Sequence, residues 1–385
     1  MKKYLFSLTF LFVFFCRAMA GVPEIDPTPI LIIEGIGNGY STPAITSDRI
    51  YITGEKEGVG WLFAYDLKGN LLWEKQYGAE WADNFRGSRA APVVADSLIY
   101  TLSAMGDVTC FSTRSGEKRW SLNMIRDLRG VNAVFGYSMP VLVEKERLYL
   151  IPGGPDTNIV CLDRYTGKLI WISDGNGETP GYASPLFVRH HNRNLLITFS
   201  DMAMLGLDAE SGKLLWSHEL SIKGNLPCNS MIYSEGFLYI VAGSGNGAFK
   251  FKISEDGNEI SQIWANEDFD TYFGGFVKIG NYLYGSADVQ RHWWSIDAGT
   301  GKAADSLSFR IGATVPAEGK LVLYSQQGKI GLVKPDQGKM TLMNTFSITK
   351  GTKEHFSLPI VVAGRLYVRH GNALVVYDQQ QLTSN

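Results

Sequence analysis

The chain has 385 residues, a formal net charge of −2, 45% apolar residues and 19% charged residues. This composition supplies a globular core but no basic face, so nucleic acid is excluded as the expected partner: phosphate binding needs clustered Lys and Arg. Length alone would permit two domains, a prior that the internal repetition overrides.

The N-terminus carries Lys2 and Lys3, an apolar run from Tyr4 to Phe15, then Ala18-Met19-Ala20. That pattern is a secretory signal peptide, residues 1–20, cleaved before Gly21. The run is short for a membrane span. Cys16 follows Phe14-Phe15, bulky side chains where a lipid-attachment signal takes small ones, so cleavage rather than lipidation is expected. No later stretch is long and apolar enough to span a bilayer. The expected product is an exported monomer, periplasmic or associated with the cell envelope, with residues 21–385 forming one domain.

Pro29 to Glu34 reads as a lone apolar strand ahead of the first full repeat. The repeats follow. The clearest copy is Cys161-Leu162-Asp163-Arg164-Tyr165-Thr166-Gly167-Lys168-Leu169-Ile170-Trp171. Apolar residues before Asp163 suit a buried strand, and Asp163 accepts hydrogen bonds from the amides ahead of it. Gly167 takes the positive φ that closes the turn, and Trp171 brings a large surface to bury.

In chain order the copies place Asp66, Gly69 and Trp73; Ser112, Gly116 and Trp120; Asp163, Gly167 and Trp171; Asp208, Gly212 and Trp216; Ser254, Gly257 and Trp264. Then come Asp297 and Gly301 with Asp305 in the tryptophan place, Lys334 and Gly338 with Leu342 there, and finally Asp378. A spacing of roughly 45 residues is that of propeller blades. Helical periodicity is absent, so the expected fold is all-β: a single eight-bladed β-propeller of four-stranded antiparallel blades. The last copy has only three strand-like segments, Leu358–Val362, Arg365–Arg369 and Leu374–Tyr377. The N-terminal strand is expected to supply the fourth, closing the ring and removing an exposed edge. The tryptophans and glycines of the repeat are expected to dock blade on blade.

Pro43, Pro92, Pro140, Pro185, Pro316 and Pro359 recur ahead of the Asp/Ser position. Proline lacks a ladder donor, so these mark the innermost, channel-facing edge strands. After signal cleavage Cys110, Cys161 and Cys228 remain, an odd number. Cys110 and Cys161 hold one repeat position, occupied elsewhere by Ala64, Gly206 and Ser295, and are expected to be small buried packing residues with free, inert thiols.

Connections between blades are where function would sit. Two are long, Glu74–Ser88 and Ser121–Gly136. Together with corresponding places in other blades they bring Trp81, Arg86, Arg89, Tyr137, Tyr182, Asn229, Tyr272 and His355 toward one mouth of the ring. These are the candidate ligand- or partner-binding residues, a shallow aromatic and polar funnel. The glycine-rich runs Gly35–Gly39 and Gly243–Gly247 open no helix and read as turns, not phosphate cradles. His190-His191 lacks further ligands nearby and reads as a hairpin cap, so no metal site is assigned. Trp293-Trp294 reads as core packing, one ring on each side of its blade.

The pattern Ala-x-Asp-x-x-x-Gly-x-x-x-Trp, with Thr-Gly-Lys inside it, resembles the repeat of the pyrroloquinoline-quinone (PQQ) propeller superfamily over nearly the whole chain after residue 20. Two branches of that superfamily matter. One contains quinoprotein alcohol dehydrogenases, where the resemblance would imply PQQ stacked between a tryptophan and a disulfide of adjacent cysteines, a calcium ion held by Glu, Asn and Asp, and an Asp base. This chain has no adjacent cysteine pair. The other contains non-catalytic propellers similar to BamB, the scaffold of outer-membrane protein assembly. That branch implies no catalytic residue, no cofactor, and partners among envelope or outer-membrane proteins. The expected function is therefore an exported protein-binding scaffold; the alternatives are a PQQ-dependent dehydrogenase or a propeller binding sugars or small ligands.

Overall fold

A computed structural model describes residues 21–220 and 228–383. The described chain forms eight four-stranded antiparallel sheets. In each of the first seven the four strands follow in sequence order. Blade 3 shows the pattern: Leu142–Glu144, Arg147–Leu150, Ile159–Asp163 and Leu169–Ser173. The eighth takes Leu31–Glu34 as its fourth strand, with Leu31 opposite Val376 and Ile33 opposite Leu374 on Ala373–Asp378. The N-terminal strand thus closes the ring, as the sequence predicts. The signal-peptide reading and Cys16 lie outside the described residues.

There is no single core. Buried side chains fall into clusters that each lie between two neighbouring blades, such as Tyr149, Cys161, Trp171, Leu196 and Leu205 between blades 3 and 4. The middle strands of a blade are covered on both faces, so they read as near-continuous apolar runs. The outer strand alternates, as in Leu169–Ser173, where Trp171 and Ser173 are buried and the others exposed.

The repeat residues explain how blades dock. Asp163 Oδ1 accepts from the Tyr165 and Thr166 amides at 3.1 and 2.8 Å and shapes the turn. Gly212 has φ +77°, and a β-carbon there would stand 2.5 Å from the Trp171 ring of the preceding blade. Gly116, Gly167 and Gly301 receive Trp73, Trp120 and Trp264 in the same way, and Gly69 receives Leu31 of the closing strand. The indole Nε1 groups of Trp73, Trp120, Trp171 and Trp264 donate to the Thr113, Arg164, Ala209 and Ala298 carbonyls of the following blade.

Sequence reasoning missed the partner of this device. A tyrosine on the second strand, Tyr51, Tyr100 or Tyr149, donates its hydroxyl to the same Thr113, Arg164 or Ala209 carbonyl. Blade 4 has Ile197 at that place, opposite Gly206. Its Trp216 is buried, but Nε1 has no hydrogen-bond partner among the described residues. Blade 5's longer turn offers its Ser254 carbonyl instead to His190, which also meets the Tyr233 hydroxyl. His190 therefore docks two blades rather than capping a hairpin.

At the closing seam Arg369 is completely buried. Its guanidinium donates to Ser41 Oγ at 2.5 Å, the Thr53 carbonyl at 2.6 Å and the Gly371 carbonyl at 3.0 Å, tying blade 8 to blade 1. Burial pulls its pKa down to about 9.

Some local expectations change. In blade 7 a bulge beside Leu332 places Asn344, not Leu342, opposite it in the tryptophan place. Asn344 Nδ2 donates to the Leu382 carbonyl. Pro43, Pro92, Pro185 and Pro359 immediately precede the innermost strands, whereas Pro140 stands one residue further off and Pro316 lies within Gly312–Ala317. Among the described residues two short helices interrupt the all-strand reading, Met124–Leu128 and Gln379–Thr383. The first is capped by the Asn123 side chain, which accepts from the Ile125 and Arg126 amides. Trp293 and Trp294 do alternate: Trp293 packs toward blade 7 and Trp294 toward blade 5. Cys110 and Cys161 are buried and unpaired, and Cys228 is unpaired and half-buried.

Candidate functional site

Successive strands of a blade run in opposite directions. The connection into each innermost strand and the turn between the second and third strands therefore share one face of the ring. On that face residues leading into the innermost strand of every blade but the seventh line one axial cavity of about 590 Å³. Tyr40, Phe85, Phe135, Tyr272, Phe273 and Phe356 form its aromatic wall, with Ser138, Ser184, Ser230 and Cys228 among the remaining lining.

The first long connection begins later than the sequence suggests, because the outer strand of blade 1 runs Leu71–Ala79. Beyond it Arg89 is the key tie. Its guanidinium lies 5.3 Å from the Trp81 ring centroid. It donates to the Phe135 carbonyl and, at 3.1 Å each, to the Asn84 and Phe85 carbonyls, joining two blade connections. Burial lowers its pKa. The Phe135 amide donates in turn to the Tyr182 hydroxyl at 3.1 Å. Phe356 is the hub of the far wall, 4.9 Å from Phe273, 5.8 Å from Tyr40 and 5.9 Å from Phe85 between ring centroids. The Tyr40 hydroxyl donates to Glu354 Oε2 at 2.5 Å.

Of the sequence candidates, Arg89, Tyr182 and Tyr272 meet in the cavity wall. Trp81 stands behind Arg89. Arg86 instead pairs with buried Glu55, Nε at 2.9 Å and Nη2 at 2.6 Å. Burial alone would raise the Glu55 pKa, but the Arg86, Gly58 and Asn38 hydrogen bonds outweigh it and hold it below the ordinary value. Tyr137 is in the core, donating to the Pro152 carbonyl at 2.6 Å. Asn229 is buried and knits backbone: Nδ2 reaches the Thr271 and Val241 carbonyls, and Oδ1 accepts from the Gly275 amide. His355 meets the Tyr324 hydroxyl at 2.6 Å and stacks on His370 at 3.7 Å. Burial, and then His370, push its pKa down to about 4.

Sequence reasoning overlooked Tyr40, Phe273 and Phe356; Phe85 and Phe135 stand in the two long connections it singled out but were not among its named candidates. The signal was available for the overlooked ones: Tyr40, Phe273 and Phe356 each stand three or four residues before an innermost strand, the place that made Tyr182 and Tyr272 candidates.

The wall's chemistry is that of binding. Among the described residues Arg89 is its one charged residue, and none of them brings a carboxylate to the lining. Cys228 is pushed up to about 12 by burial, so its thiol stays protonated. The described residues contain no cluster of three metal-ligating side chains. The lining thus gives a calcium ion no anionic ligand, and with no adjacent cysteines it does not fit the quinone arrangement of the dehydrogenase branch.

The model of a family described as outer membrane protein assembly factor BamB matches residues 36–136 and 58–306. A BamB from Yersinia pestis is 26% identical over 148 residues, 37% of this chain. The match spans 33% of that relative's length. Among solved structures, BamB from Moraxella catarrhalis superimposes with a TM-score of 0.68 at 15% identity, covering 92% of this chain and all of that one. The computationally designed Ika8 protein gives 0.64 at 14%, covering 91% of this chain and 99% of that one. A quinohemoprotein alcohol dehydrogenase, ADHIIG from Pseudomonas putida HK5, gives 0.65 at 11%, covering 93% and 77%. At these identities the structural likeness speaks for fold alone.

Proposed function

This chain belongs to the outer membrane protein assembly factor BamB family, and we propose that it is a non-catalytic scaffold of the cell envelope that binds proteins of outer-membrane assembly. The observation that carries the reading is the family match, which runs from the first blade into the sixth. The chemistry of the axial cavity supports it: aromatic walls, one arginine and, among the described residues, no carboxylate in the lining to serve as base or ligand. The shared fold of the alcohol dehydrogenase lends no support to redox activity, because the propeller hosts unrelated functions. Export by the N-terminal segment and action as a monomer belong to this proposal. The described residues contain no helix long and apolar enough to cross a membrane.

The test is cross-linking in intact cells, followed by isolation of the tagged chain from envelope fractions. The expected result is recovery in the envelope, joined to outer-membrane assembly proteins. Retention in the cytoplasm, or dye-linked alcohol oxidation by the chain loaded with PQQ and calcium, would contradict the reading.

A further inference from the structure

Exposed apolar side chains are distributed unequally over the ring. Phe85 (51% exposed), Val134 (79%) and Leu358 (38%) crowd the rim of the axial cavity, and Met202 and Val289 stand on turns of the same face. On the opposite face the exposed large apolar side chains outside the strands, among the described residues, are Tyr165 on a turn and Ile30 on the bend before the closing strand. Contiguous exposed apolar surface of this kind marks an interaction site.

The cavity inside that rim has unused polar capacity. The hydroxyls of Ser138, Ser184 and Ser230 line it and bond no described atom. Arg89 forms no ion pair among the described residues. The carboxylate that acts on it electrostatically, Glu80, is buried behind the wall. Arg89 therefore presents to the cavity a positive charge that no described carboxylate pairs with, beside phenylalanine and tyrosine rings.

We infer that this funnel receives an apolar peptide segment of a partner protein carrying a carboxylate that pairs with Arg89. The inference rests on the scaffold reading and names the chemistry of its partner. Two observations select a projecting segment over a small planar acid. A small molecule sunk in about 590 Å³ would leave the rim side chains in water, whereas a segment rising from a larger body covers cavity and rim together. The free serine hydroxyls, spread over three blades, suit the amides and carbonyls of an extended backbone better than one planar ring.

The experiment is calorimetric titration of the full chain with three probes: acetyl-Phe-Leu-Phe with a free carboxylate, its C-terminal amide, and quinoline-2,4-dicarboxylate. The free acid is expected to bind and the amide to bind about tenfold or more weakly, as loss of a charge-assisted pair requires. Arg89→Gln should abolish that difference. Because Arg89 also ties two connections, Ser230→Phe serves as a second variant. It fills the funnel from an exposed hydroxyl position, and it should abolish peptide binding while its melting temperature reports folding. No heat with the acid peptide, equal affinity for acid and amide, or binding of the planar acid alone would overturn the inference. Each of those outcomes leaves the envelope cross-linking result standing, so the two failures are distinguishable.

Discussion

A single carbonyl illustrates how each blade is held. Ala209 O accepts from Trp171 Nε1, the Tyr149 hydroxyl and Arg147, all from the preceding blade. Trp171→Ala should cost about 3–5 kcal/mol, as for other buried aromatic truncations. Trp171→Phe isolates the hydrogen bond, a loss of about 1 kcal/mol beyond the smaller ring. Trp216 has no such bond, so Trp216→Phe removes an orphaned donor. Urea melts should show it to be the milder change by about 1 kcal/mol or more; equal costs would contradict the docking account. The tryptophans and glycines were legible from their spacing. The tyrosines were not, because strand tyrosines are common and only the register brings each one to its neighbour's turn.

Glu80 provides a pH signature at the same scale. Burial raises its pKa from 4.5 to about 7, although Tyr77, Ala104 and Trp81 all donate to it. Its folded-state pKa lies above the unfolded one, so the neutral form is favoured in the fold. The associated stability is full below about 4.5 and is lost as pH rises through about 7. Glu80→Gln should flatten the fall in melting temperature over that window; an unchanged slope would assign the pH dependence elsewhere.

The closing strand decides cooperativity among the elements. Leu31–Glu34 gives blade 8 its fourth strand, and Leu31 also fills the space above Gly69 of blade 1. Arg369 secures the same seam from inside. Removing residues 21–35 exposes the edge of Ala373–Asp378 and strips Leu31 and Ile33 from the cluster between blades 8 and 1. The truncation should lower the single melting transition of the whole protein. An unchanged transition, or fraying confined to blade 8, would mean that the ring does not depend on its closure. This element was readable because the last repeat lacked a strand. The Met124–Leu128 helix was not, since its five residues are too few to show a period and form through the Asn123 cap.

The whole molecule has two unlike faces, and this was the least legible level. Repeats specify blades, and blade order specifies the ring. Which loop residues converge at the axis depends on how far each strand runs before its connection starts. Arg89, Tyr182 and Tyr272 come together at the cavity, while Tyr137, Asn229 and His355 are spent on holding backbone and core. Their polar and aromatic character was visible in the sequence, but their direction was not. The central claim is that the funnel face is the one that meets a partner in outer-membrane assembly. The most direct measurement is site-specific photo-cross-linking in cells from Val134, on the funnel rim, against Lys213, exposed on a turn of the opposite face. The account predicts envelope adducts from Val134 and none from Lys213. Adducts from Lys213 alone, or from neither position, would contradict it.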